Sequence, residues 1–151
     1  MQSNDVDIQN LLVIMANLPE FLRSSVSREK LKELVEMKDD EKVTVTLRAI
    51  KCMQNIPQEH SKKLLLSWFT AMIELDSINF INIAYLYLNI GARYHIHTQT
   101  YIDILRDFFR ALKDEEKRRV IDKLREVICL FPFRERILTI LPNEIQRMIS
   151  S

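Results

Sequence analysis

Tyr101-Ile-Asp-Ile-Leu-Arg-Asp-Phe-Phe-Arg-Ala-Leu112 places Tyr101, Ile104, Leu105, Phe108, Phe109 and Leu112 at i, i+3, i+4, i+7, i+8 and i+11. At about 3.6 residues per turn these six side chains line one face of an α-helix. Val120, Leu124, Val127, Ile128 and Phe131 repeat the pattern in the next segment. Shorter stripes occur upstream, in Leu31, Leu34 and Val35 and again in Val43, Leu47 and Ile50. Residues 64–75 are apolar almost all round, which predicts a central helix. Val43-Thr-Val-Thr-Leu47 alternates like a strand, but no partner strand or hairpin turn lies beside it, so helix is expected there too.

Gly91 is the only glycine in the chain, where average usage would give roughly ten. Glycine supplies positive φ, tight turns and close backbone approach to phosphate. Its scarcity leaves no glycine-rich phosphate loop, no dinucleotide fingerprint and few two-residue hairpins. What such a chain can form is helices joined by short polar segments.

The punctuation is regular. Asp39, Asp76 and Asp114 each precede an apolar-periodic segment, and Pro19, Pro57 and Pro132 fall near multiples of the same interval, with His95 in the skipped position. Asp is a good N-cap and Pro is tolerated in a first helical turn. Asn17-Leu-Pro-Glu20 and Asn55-Ile-Pro-Gln58 both read as capping boxes with Asn in the cap position. Together these signals predict helix starts near 17, 39, 55, 76, 95, 114 and 132. A helical hairpin repeating about every 38 residues would give this spacing, and so would a bundle of equal helices. The interval lies near that of HEAT-type repeats, but their signature, a Pro in the first helix followed by an Asp turn and a Val-Arg/Lys pair, is missing.

Charge is balanced, with 22 Lys and Arg against 21 Asp and Glu, so no overall field favours nucleic acid or a membrane. The type of cation changes along the chain: three of ten are Arg in residues 1–75, nine of twelve in residues 76–151. Cys52 and Cys129 stand alone, which suits a reducing compartment and apolar packing. The opening residues are acidic and polar, unlike a secretory leader. The longest apolar segment, 78–90, is too short to span a bilayer. A cytoplasmic protein with no membrane partner is expected.

Few residues are candidates for chemistry. His60, His95 and His97, with Glu59, would share one edge of an antiparallel array and form a zinc set. However, i,i+2 histidines point apart on a helix, so no metal site is expected. Asp39-Asp40-Glu41 and Asp114-Glu115-Glu116 sit at helix starts, where acidic side chains complement the helix dipole. No Glu-x-x-His pair, no Gly-x-Ser-x-Gly elbow and no cysteine with a nearby histidine occurs. No cofactor and no catalytic residue is assigned.

The expected fold is therefore all-α: a single domain of about seven helices of 14–18 residues, antiparallel to their neighbours. A two-layer helical-hairpin array is favoured, with a closed bundle as the alternative. The expected function is a non-catalytic interaction module that binds another protein or its own copy. The segment Ile81-Asn-Ile-Ala-Tyr-Leu-Tyr-Leu88 is apolar on more faces than one neighbouring layer covers, which makes Tyr85 and Tyr87 the candidate interface residues. The alternative is nucleic-acid binding by the Arg-rich second half, through Arg118 and Arg125 on one helix face. Against that alternative, interleaved acids and i,i+4 pairs such as Asp114 with Arg118 and Glu115 with Arg119 point to a salt-bridged solvent face.

Overall fold

The structure is a computed structural model that describes residues 2–94 and 99–151. Among these residues the chain is all-α, with nine helices and no strand. In order they are α1 (Gln2–Ala16), α2 (Glu20–Glu36), α3 (Asp39–Met53), α4 (Gln58–Ile73), α5 (Ser77–Tyr94), α6 (Gln99–Ala111), α7 (Asp114–Ile128), α8 (Arg134–Leu138) and α9 (Asn143–Ser150). Six of the seven expected starts fall within three residues of a helix, and the strand-like 43–47 segment lies inside α3. The seventh, near 95, lies outside the described residues.

Among the described residues there are nine helices where about seven are expected, the additional ones lying at the two ends of the chain. α1 carries apolar residues on its exposed side (Val6, Leu11, Ile14) as well as on its buried side (Ala16), so no single stripe marks it. α8 and α9 have five and eight residues, shorter than the window that periodicity needs.

The two Asn capping boxes are a second correction. Pro19 and Pro57 themselves occupy the N-cap positions of α2 and α4, with no side-chain cap. Asn17 and Asn55 instead close the helices that precede them, where their Nδ2 atoms donate to Val13 O at 2.9 Å and Lys51 O at 3.2 Å. A helix end leaves unpaired carbonyls as well as unpaired amides, and here the side-chain amide serves the carbonyls. Of the three marker aspartates, Asp76 caps directly, accepting from the Asn79 amide at 2.8 Å. Asp39 and Asp114 are the first residues of α3 and α7. At α7 the Lys113 amide donates to Glu116 at 3.1 Å.

The chain divides into two compact units, Met1–Glu74 and Leu75–Ser151. In the first, α4 is central and packs against α2 and α1, and α1 also packs against α3. α2 buries Ser27, Leu31 and Leu34, while α4 buries Ser61, Leu64, Ser67, Ala71 and Met72. Small side chains at Ser27, Ser67 and Ala71 let helices approach closely. Arg23 adds a polar tie, donating to Ser67 Oγ at 3.1 Å and to Leu18 O at 2.8 Å. Asp5 joins α1 to α3 through Arg48 at 3.4 Å.

In the second unit α5 packs against α7 and α8, and α7 against α9. Ile83, Ile90, Val127, Ile128, Ile137 and Ile145 are its fully buried side chains, each contributing about 1.5–3 kcal/mol by burial. On α6 the predicted stripe faces inward through Ile104 and Phe109. Burial pushes the Tyr101 phenol up to about 12, so it stays protonated at ordinary pH.

Gly91 lies inside α5, buried, and serves packing instead of a turn. A Cβ built there would meet Ile140 Cδ1 at 3.1 Å. Replacing a mid-helix glycine by alanine gains about 0.5–1 kcal/mol in propensity, and this contact opposes that gain. In chemical denaturation, Gly91→Ala is expected to stabilise more in an Ile140→Val background, which removes the Cδ1 atom, than in the native chain. Gly91→Leu is expected to lose about 1–3 kcal/mol by overpacking. Equal effects of Gly91→Ala in both backgrounds would show that the contact is not felt.

Candidate interaction surface

Residues 129–133, Cys-Leu-Phe-Pro-Phe, join α7 to α8 without one charged or hydrogen-bonding polar side chain. Pro132 cannot continue a helix and biases Phe131 towards extended backbone, so α7 ends here. Its last turn is closed by backbone bonds from Leu130 to Val127 O at 3.0 Å and from Phe131 to Ile128 O at 3.1 Å. Phe133 then stands at the N-cap of α8.

The turn leaves Leu130 58% and Phe133 70% exposed, with the Cys129 thiol exposed beside them. Phe131 between them lies flat on Tyr85, with ring centroids 4.6 Å apart and planes 16° from parallel. That stack fixes the loop on α5, because offset aromatic pairs add about 0.5–1.5 kcal/mol beyond their buried area. Ile78, one heptad before Tyr85 on the same face of α5, is 73% exposed. Glu126, Arg134 and Glu135 flank the segment, all exposed and making no ion pair among the described residues.

The candidate residues from the sequence fare differently. Tyr85 and Tyr87 are both half-buried, and two residues apart on a helix they point to nearly opposite sides. Tyr85 is stacked on Phe131 of the 129–133 segment. The 81–88 segment is better covered than expected, with Ile83, Ala84, Leu86 and Leu88 all buried. Arg118 is exposed on α7 and makes no ion pair among the described residues, and neither does Arg119. The expected pairs Asp114–Arg118 and Glu115–Arg119 do not form, which is unsurprising for contacts worth only a few tenths of a kcal/mol, about 0.2–0.5.

Arg125 does something the sequence did not disclose. Its Nη2 donates to Met148 O at 2.7 Å and its Nε to Ile149 O at 3.2 Å, while Nη1 holds Asp122 at 3.2 Å. The guanidinium thereby caps the C-terminus of α9, where carbonyls lack helical partners and a cation suits the dipole.

His60 is half-buried, with its Nδ1 lacking a partner, and Glu59 is exposed beside it. His95 and His97 lie outside the described residues. Among the described residues no three His, Cys, Asp or Glu side chains gather as a metal set. No helix among them is long and apolar enough to cross a membrane.

The exposed loop had one sequence signal, five consecutive residues without a polar side chain around a proline. Counting Phe131 as the end of a helical stripe hid it. A second group of exposed apolar residues, Leu11, Ile14, Phe21 and Leu22, lies on α1 and at the start of α2.

Thiol chemistry reports on the loop. Burial, and then the charge of Asp5, pushes the Cys52 thiol up, with Arg48 partly opposing. Cys129 is exposed. At neutral pH a disulfide reagent should therefore modify one thiol per native chain quickly, and Cys129→Ser should remove that fast phase. A fast phase that survives the substitution would place the accessible thiol at Cys52 and contradict the packing described. Comparison with protein-family models, with characterised proteins and with solved structures returns no match for this chain.

Proposed function

We propose that this chain is a non-catalytic helical interaction module that pairs with a second copy of itself through the 129–133 loop. The observation that carries this reading is the exposure of Leu130 and Phe133 on a loop fixed from beneath by the Phe131–Tyr85 stack. A rigid aromatic and aliphatic patch loses little conformational entropy on docking, and such residues dominate interface energetics. The flanking charges support a second copy as the occupant. A two-fold contact brings the same patch together from both chains. Glu126 and Glu135 of one chain can then meet Arg134 of the other, and none of the three has an ion-pair partner of its own among the described residues.

The nucleic-acid reading gains no comparable support. Arg118 and Arg119 share their exposed face of α7 with Glu115, Asp122 and Glu126, and Arg125 is engaged by the end of α9.

Light scattering from micromolar to millimolar concentration tests the proposal. The expected mass rises from 18.0 kDa towards twice that value. Phe133→Asp should hold the mass at the monomer value with the far-ultraviolet helix signal unchanged. Truncating a central aromatic anchor costs about 2 kcal/mol or more, roughly thirtyfold in Kd. A wild-type monomer at every concentration would overturn self-pairing and leave a different protein as the only partner for the loop.

A further inference from the structure

A polar cavity of about 330 Å³ opens along α6, α9 and the turn before α9. That volume lies at the lower end of the range for small-molecule sites, about 300–1,000 Å³. Three guanidinium groups line it, Arg106, Arg110 and Arg147, against two carboxylates, Asp103 and Glu144. Both carboxylates are already engaged: Asp103 with Arg106 at 3.2 Å, and Glu144 with Arg110. The Arg147 guanidinium makes no hydrogen bond or ion pair among the described residues. Its charge is still felt at Glu144, whose carboxyl is held below its usual range by the Arg110 hydrogen bond first, and then by Arg110, Arg147 and Lys117.

We infer that this cavity binds a small organic anion through a phosphate or carboxylate group, gripped by Arg147 and Arg110 in competition with Glu144. The lining side chains carry a net charge of +1; just outside it, Asp107 also pairs with Arg106 at 3.2 Å and Lys117 adds a positive charge from α7. Guanidinium forks match the planar spacing of oxyanions and bind them bidentately. Glu144 marks where such an oxygen sits, because its own carboxylate already occupies the Arg110 fork. The cavity holds more than one phosphate group, which leaves room for the organic part of a ligand. None of residues 129–133 lines it, so the inference stands apart from self-pairing.

Amide NMR titrations with inorganic phosphate and, separately, citrate at matched ionic strength test it. Saturable shifts are expected in α9, and the anion that binds more tightly identifies the ligand group. Arg147→Gln should weaken binding about tenfold or more by removing the free fork. Glu144→Gln should tighten it by a similar factor, because the Arg110 fork opens and the lining gains a further net positive charge. Arg118→Gln, which changes the net charge equally but lies on the exposed face of α7, should leave the affinity unchanged. The inference is overturned if neither the native chain nor Glu144→Gln shows saturable shifts. Equal weakening by Arg118→Gln and Arg147→Gln would overturn it as well, since it would reduce the effect to overall charge.

Discussion

Every helix leaves carbonyls at its C-terminal end that need donors, and the usual remedy is a glycine turned into the left-handed region. This chain has one glycine and uses it inside α5. Its helices end by other means. Gln54, Glu74, Cys129 and Thr139 keep right-handed backbone as C-caps, and Met37 goes extended. Side chains supply the donors: Asn17 and Asn55 after α1 and α3, and Arg125 at α9. Arg136 reaches Ala92 O near the end of α5 at 3.2 Å. Prolines at positions 19, 57 and 142 then turn the chain into the next helix. The joints among the described residues stay short as a result, and helices of this length, marginal alone in water, are held where they can bury a face.

That constraint also separates structural from available side chains in the second unit. Arginine is concentrated there, and among the described residues Arg125 and Arg136 donate to helix carbonyls. Others sit in mixed pairs with Asp103, Asp107 and Glu144. The 129–133 joint departs from the pattern of polar joints. It is closed by backbone bonds and an aromatic stack, and it presents Leu130 and Phe133 outward. Apolar exposure is ordinary when residues are scattered, and points to docking when they are contiguous and rigidly held.

The legible part of the fold was the part where hydrophobicity and burial coincide. α6 and α7 present stripes, and Ile104, Phe109, Leu124, Val127 and Ile128 are buried as their spacing predicts, although at the start of the α7 stripe Ile121 is buried and Val120 only half-buried. In α1 and the first half of α2 the correspondence fails, although Leu31 and Leu34 further along α2 are buried as their stripe predicts: Ser27 is buried while Phe21, Leu22 and Ile14 are exposed. Periodicity assigns faces by polarity, so a small buried hydroxyl and an exposed phenylalanine cancel each other. The roles of Asn17, Asn55 and Arg125 were illegible for a different reason. Each donates to a carbonyl, and which helix end a polar side chain serves depends on the turn of the chain around it. Tyr85 could be singled out from its segment, but its stacking partner Phe131 is 46 residues away and only the fold brings the two together.

Side chains, in place of glycine turns, hold the helix ends, and Arg125 at α9 is the clearest case. Amide hydrogen exchange in α9 measures that hold directly. Arg125→Met keeps the apolar stem and removes the donors, so α9 amides should exchange about tenfold faster or more, the loss expected for charged hydrogen bonds. Core amides of α5 should be unchanged, and Arg118→Met on the same face of α7 should have no effect. If α9 exchanges at the native rate in Arg125→Met, or equally fast in both variants, the guanidinium does not hold that helix end.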